Sequence, residues 1–153
     1  MKQEEKTELT RERILQAAIQ EFGTNGYAAS TLNTICSKNK ISKGLLYHNF
    51  AGKDDLYLAC VLRCFSDVTA YLKAQDIRDD LEKYMHARFQ YFSRHPYHAR
   101  IFFEAVLQPP PALSAQIREL RKEFDLFNRE IYQTALSRMT LREGVTEADA
   151  IEY

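Results

Sequence analysis

The chain has no tryptophan, only five glycines and four prolines in 153 residues, and no stretch of alternating β-branched and polar residues. Few breakers and no period-two pattern argue against a sheet protein and for an all-α fold. No apolar run approaches the ~20 residues that span a bilayer. The opening Met-Lys-Gln-Glu-Glu-Lys is too acidic and polar for a secretory signal. Cysteine is sparse and odd in number: Cys36, Cys60 and Cys64. Such a set suits thiols packed as small hydrophobes in a reducing compartment, so a cytoplasmic location is expected. Net charge is absent too, with 21 basic and 21 acidic residues. The motifs of common catalysts are also missing: no glycine-rich phosphate loop, no Gly-x-Ser-x-Gly and no His-Glu-x-x-His. The paired acids Asp54-Asp55 and Asp79-Asp80 stand at helix starts, where capping and dipole effects explain them, and Cys36 has only His48 nearby, on the opposite face. An enzyme is not expected.

The most telling absence is local. Between Glu21 and Asp54 there is no carboxylate, although Lys38, Lys40, Lys43 and Lys53 all lie there. A neutral chain has thus cleared anions from one segment. Contact with a phosphate backbone requires this, because each nearby carboxylate opposes the counterion-release contribution that dominates nucleic-acid affinity.

That segment, residues 31–50, reads as two short helices and a tight turn. Thr31 suits an N-cap. Leu32, Ile35 and Cys36 fall at i, i+3 and i+4 and form one small buried face. Asn39-Lys40 suits the turn, since Asn tolerates left-handed angles. Ser42 caps the second helix, with Leu46 and Phe50 facing inward. Lys43, Gly44, Leu45, Tyr47, His48 and Asn49 are left outside or at the exposed start. A short helix presenting these residues fits a DNA major groove.

The first two fifths of the chain resemble the DNA-binding domain of the tetracycline-repressor (TetR) family. The residues that carry the likeness are Arg13-Ile-Leu-Gln-Ala-Ala18, Phe22, Gly26-Tyr27, Thr31, Ile35, Ser42-Lys-Gly-Leu-Leu-Tyr-His48, Phe50, Lys53 and Leu56. Lys40 stands where the family usually has glycine, at a cost of about 1 kcal/mol if its φ is positive. Asn39 replaces a small residue, and Asn49 stands where tyrosine is common. The resemblance implies a transcriptional regulator, most often a repressor, binding a palindromic operator in double-stranded DNA as a homodimer. Lys43 and Lys53 would contact phosphates, Thr31 and Ser42 would donate to them, and Gly44, Leu45, Tyr47, His48 and Asn49 would face the groove. Two domains are expected: a helix-turn-helix head over 8–53 and a helical effector-binding and dimerisation body over 54–153. Family members usually continue into two further long helices, so a C-terminally truncated member is expected.

The rest of the chain is read as helices. One starts at Thr10 behind a frayed arm, is apolar at Ile14, Leu15, Ala18, Ile19 and Phe22, and ends in Gly23-Thr-Asn-Gly26. Tyr27 is expected to pack back on the core with no DNA role. Gly52 is expected to end the second motif helix. A long helix over 54–74 would join head to body and act as a lever, with Leu56, Ala59, Cys60, Leu62, Phe65, Val68 and Leu72 inward. A helix over 79–93 would bury Leu81, Tyr84, Met85, Phe89 and Phe92, and another would hold Ile101, Phe102, Ala105 and Val106 before Pro109-Pro-Pro111. Leu113, Ile117, Leu120, Phe124, Phe127 and Ile131 form a heptad-like stripe. Gly144 would break it, and Thr146-Glu-Ala-Asp149 would cap a further helix.

The body is rich in aromatics. Phe65, Tyr84, Phe89, Phe92, Phe102 and Phe103 would line a pocket for a small apolar or aromatic effector, against the plainer alternative that they are core. Cys60/Cys64 and His95/His98 have spacings that zinc sites use. Nothing in the sequence joins the two pairs, and no metal or other cofactor is expected. The competing functional reading is a helical ligand-binding or interaction protein that keeps the head without binding an operator.

Overall fold

The computed structural model describes residues 2–77 and 80–138. Over these the chain is helical, with no strand among the described residues. In order come α1 (Gln3–Ala29), α2 (Leu32–Asn39), α3 (Lys43–Asn49), α4 (Lys53–Lys73), α5 (Leu81–Arg94), α6 (Pro96–Leu107), a 3₁₀ turn at Pro111–Leu113, α7 (Ser114–Leu120) and α8 (Lys122–Leu136). The expected features at Gly144 and Thr146–Asp149 lie outside the described residues.

α1 is longer at both ends than the sequence suggested. Its first turn holds Glu4 and Glu5, which the helix dipole favours, and Thr7 Oγ1 donates to the Gln3 carbonyl at 3.0 Å. Charged residues with good helix propensity therefore extend the helix through the stretch read as a frayed arm. Gly23 stays helical, because a side chain there would collide with α6. A Cβ would lie 2.5 Å from Tyr97 Cβ and 2.6 Å from its Cα. The break falls at Gly26, with φ 80° and ψ 172°. Ser30, fully buried, then ties the chain end back by donating to the Gly26 carbonyl at 2.6 Å.

The head core is Ile14, Leu15, Ala18, Ile19 and Phe22 of α1 against Ile35, Cys36, Ile41, Leu46 and Phe50. α3 ends at Asn49, not at Gly52, because Phe50 leaves the helix in extended conformation to bury its ring. α4 runs from under this core into the body and is covered on several sides, by α1, α5, α6, α7 and α8. Its buried face is accordingly wide: Leu56, Tyr57, Cys60, Val61, Cys64, Phe65, Val68, Thr69 and Leu72. Leu62, expected inward, is exposed, since it lies a third of a turn beyond Val61 on the uncovered side.

α5 is rotated from its expected setting. Tyr84, Ala87 and Tyr91 face in, while Met85 and Phe89 stand on the surface. Buried phenols are tolerable here because each hydroxyl has a partner: Tyr84 donates to Asn128 Oδ1 and Tyr91 meets His98 Nδ1 at 3.1 Å. Burial pushes Tyr84 up to about 12. Pro96 opens α6 at its first position, as proline's missing N–H allows. The heptad-like stripe is not one helix, because it bends at Arg121 (φ −97°, ψ 4°) between α7 and α8. Beyond the bend Phe124, Tyr132 and Ala135 are buried, and Ile131 only half so.

Candidate nucleic-acid interface

The corner formed by α2 and α3 is built by local rules. Thr31 Oγ1 accepts from Thr34 N at 3.1 Å, and Ser42 Oγ accepts from Leu45 N at 3.1 Å, so both helices begin on hydroxyl caps. The turn between them needs one left-handed residue, and that residue is Lys40 (φ 53°, ψ 45°) rather than Asn39. Asn39 remains helical, its side chain donating to the Ile35 carbonyl at 2.9 Å.

Two arginines of α1 lock this corner in place. Arg13 Nη2 donates to the carbonyls of Asn39 and Lys40, at 2.8 and 3.3 Å. Arg11 Nη1 donates to the Asn49 carbonyl at 2.9 Å, its guanidinium 4.2 Å from the centre of the Phe50 ring. Each thus satisfies orphan carbonyls at the end of a short helix, where positive charge is favoured. Sequence reasoning noted Arg13 only as part of a motif and missed Arg11. Nothing short of their reach across 26 and 38 residues would have revealed the role.

With Leu46 and Phe50 anchored, α3 turns Ser42, Lys43, Gly44, Tyr47 and His48 to solvent. Tyr47 is 54% exposed, so its ring and hydroxyl are open to a partner. Leu45 and Asn49 are only half outside. Leu45 packs against the core edge, and the Asn49 amide turns back to donate to the Leu45 carbonyl at 2.9 Å. The expected site residues therefore divide into an outward set (Thr31, Ser42, Lys43, Gly44, Tyr47, His48) and a shoulder set (Leu45, Asn49, Lys53).

The charges near this face are arranged unequally. Lys38 is drawn to the buried Glu21 carboxylate at 3.5 Å. Lys40 and Lys43 are exposed and form no ion pair among the described residues. Lys53 sits on the first turn of α4 with its ammonium 4.3 Å from the centre of the Tyr27 ring. Asp54 accepts from the Tyr27 hydroxyl, which raises the phenol's pKa, and Asp55 accepts from Ala51 N at 2.9 Å. Each carboxylate thus has one oxygen engaged by the protein, while both residues remain exposed. Tyr27 does pack on the core, edge-on to Tyr57 with centroids 4.9 Å apart, but its free face carries Lys53.

In the body, most of the aromatic residues expected to line a pocket meet one another. Phe102 lies 4.7 Å from Phe65, 4.7 Å from Phe92 and 5.1 Å from Phe103, centroid to centroid. Phe124, unremarked in the sequence as a partner, joins them at 5.1 Å from Phe102. Arg88 lies 5.6 to 5.8 Å from the rings of Tyr84, Phe102 and Phe124. Phe89 is not brought to this group; it is 69% exposed. A separate cleft of about 520 Å³ lies where α1 meets the α5–α6 corner, edged by Arg13, Gln16, Arg94, His95 and His98. Cys60 and Cys64 are buried and their thiols pushed up by burial, and no group of three potential metal ligands gathers among the described residues.

Residues 14–60 match the family model described as bacterial regulatory proteins, tetR family. Over 54 residues the chain is 43% identical to the HTH-type transcriptional regulator UidR of Escherichia coli, covering 35% of this chain and 28% of that one. Over 130 residues it is 27% identical to the HTH-type transcriptional activator FasR of Mycolicibacterium smegmatis, covering 78% and 59%. The match therefore spans under two thirds of either relative's length. A bacterial regulatory protein in the tetR family from Rhodococcus RHA1 has the same fold, with a TM-score of 0.72 at 24% identity over 94% of this chain and 79% of that one.

Proposed function

We propose, from the match of residues 14–60 to the tetR family of bacterial regulatory proteins, that this chain is a DNA-binding transcriptional regulator of that family whose α3 enters the major groove. The observation that carries the reading is the outward face of α3: Lys43, Tyr47 and His48 stand free, with Lys40, which forms no ion pair among the described residues, in the preceding turn. The first carboxylates that follow in sequence, Asp54 and Asp55, each hold one internal donor. Lys43 and Lys53 contact phosphates, and the Ser42 hydroxyl, which accepts from Leu45 N, keeps its hydrogen for a phosphate oxygen. The Thr31 hydroxyl, paired at 2.9 Å with that of Thr34, donates to phosphate with Thr34 as the donor within the pair. Tyr47 and His48 reach base edges, and Leu45 offers an apolar edge to a thymine methyl.

The regulator acts as a homodimer on a palindromic operator, each α3 occupying one half-site. The ring cluster of Phe65, Phe92, Phe102 and Phe103 is where an apolar or aromatic effector seats itself, and its entry shifts α4 and lowers operator affinity. Repression is the expected sense of control. The test is a salt-dependent mobility shift on the DNA upstream of the gene, followed by binding-site selection from random duplexes. A palindromic consensus with a steep salt dependence supports the reading. Binding without sequence preference, or none at any salt, would instead favour a helical ligand-binding or interaction protein that keeps the head without reading DNA.

A further inference from the structure

We infer that Glu104, on α6 of the body, is a positioning residue for Lys53, acting through Tyr27. The link to DNA rests on the reading above; the positioning itself does not.

The Glu104 carboxylate sits where α1, α4 and α6 meet. Oε1 accepts from the Tyr57 hydroxyl at 2.6 Å and from the Tyr27 backbone N–H at 3.1 Å, with Oε2 at 3.3 Å from the same N–H. Such bonds to an ionised acceptor in a half-buried seam are stronger than neutral ones. Gly26 makes them possible. Its positive φ turns the chain so that Tyr27 N aims at α6, and a Cβ there would stand 2.9 Å from Glu104 Oε2. One turn earlier on α6, Arg100 Nη1 donates to the Thr24 carbonyl at 2.6 Å and holds the same bend from the other side.

Tyr27 is therefore fixed at its backbone by the body. Its ring is fixed edge-on against Tyr57 and its hydroxyl by Asp54. On that fixed ring rests the Lys53 ammonium. A lysine is a flexible point charge with several rotors, and a cation held over an aromatic face has far fewer places to be. The path from α6 to Lys53 thus runs through two side chains and one backbone N–H, with no displacement of α4 required. Phe102 and Phe103 immediately precede Glu104 on the same turn, so anything that moves α6 at the aromatic cluster moves the carboxylate too. The plainer role, cement between α1 and α6, would leave Lys53 where it is when Glu104 is changed.

Two measurements separate these roles. By NMR, the Lys53 ε-methylene protons, assigned by their loss in Lys53→Met, should be shifted upfield by the Tyr27 ring current. Glu104→Ala should return them to the ordinary lysine position. Glu104→Asp, which retracts the carboxylate by one methylene and keeps the charge, should return them part of the way and carries the test if the alanine variant does not fold. Second, on a mixed-sequence duplex, Glu104→Ala should lower the slope of log K against log salt by about one per head, with no further fall when added to Lys53→Met. Unmoved Lys53 resonances in both Glu104 variants would overturn the inference. So would a slope change that adds to that of Lys53→Met. If the unaltered protein fails to bind duplex, the DNA reading falls while the resonance test still decides the positioning.

Discussion

Replacing Lys40 by glycine should make the protein more stable, not less. Lys40 is the one non-glycine residue with positive φ among the described residues. Holding an L side chain in the left-handed region costs roughly 1–2 kcal/mol, from the clash of Cβ with the following carbonyl. Glycine removes that strain but adds about 0.5–1 kcal/mol of chain entropy in the unfolded state. The net gain is about 0–1.5 kcal/mol, centred on ~0.75 kcal/mol, or a rise in Tm of roughly 2–3 °C at the centre of that range for a chain of this size. Nothing else in the fold should be lost. The turn's hydrogen bonds involve the Lys40 backbone only: its N–H donates to the Cys36 carbonyl, and its carbonyl accepts from Arg13. Thermal and urea unfolding of Lys40→Gly beside the unaltered protein is the assay, with an unchanged m-value as the sign of unchanged compactness. A lower midpoint would refute the reasoning, because it would mean that the Lys40 side chain stabilises the fold through a contact stronger than the strain it imposes. Loss of a charge beside α3 can weaken DNA binding at the same time, so the variant should separate stability from affinity.

Three further outcomes are expected. Lys53→Ala should weaken binding to all duplexes about equally and lower the salt slope by roughly one; an unchanged slope would remove Lys53 from the phosphate contacts. Gly23→Ala should destabilise by about 1–3 kcal/mol, since a Cβ at 2.5 Å from Tyr97 must push α1 and α6 apart; a neutral result in urea titration would show the seam to be looser than described. The Arg63 guanidinium, donating to both Glu12 oxygens at 2.7 and 2.8 Å, holds that carboxyl at about 2, with Gln16 assisting. A carboxyl depressed by folding contributes stability that is full above its ordinary pKa and is lost as pH falls from about 4.5 toward 2. Both side chains are part-exposed, so screening limits the contribution to about 0.5–1 kcal/mol. Glu12→Gln should flatten that part of the stability–pH curve, and superimposable acid limbs would contradict the pairing.

The head was legible because its rules are local. Thr31 and Ser42 cap by reaching three residues ahead, and Ile35, Cys36, Leu46 and Phe50 declare their faces through spacing alone. The turn at Asn39-Lys40 was legible as a pair: propensity pointed to Asn39 as the residue that tolerates a left-handed angle, while the resemblance pointed to Lys40, which is the one that adopts it. In the body, helical spacing placed Tyr84 inside correctly but put Met85 and Phe89 with it in place of Ala87 and Tyr91. Tyr84 and Tyr91 are buried because Asn128 and His98 meet their hydroxyls, and those partners lie 44 and 7 residues away. Glu104 gave no signal at all: its partners Tyr57 and Tyr27 are 47 and 77 residues distant. Contacts at such range are set by how helices cross, which periodicity does not encode.

The seam between α1 and α6 bears on any attempt to build hybrids from this protein. Gly23 lies flush against the main chain of Tyr97, and Arg100 and Glu104 grip the bend beside Gly26. A cut at the end of Lys53, however natural it looks in one dimension, would strip the transplanted portion of the surface it was moulded on. A working exchange of specificity between such proteins would therefore carry Tyr97, Arg100 and Glu104 along with the donor's first fifty residues, or else recarve the recipient to receive them.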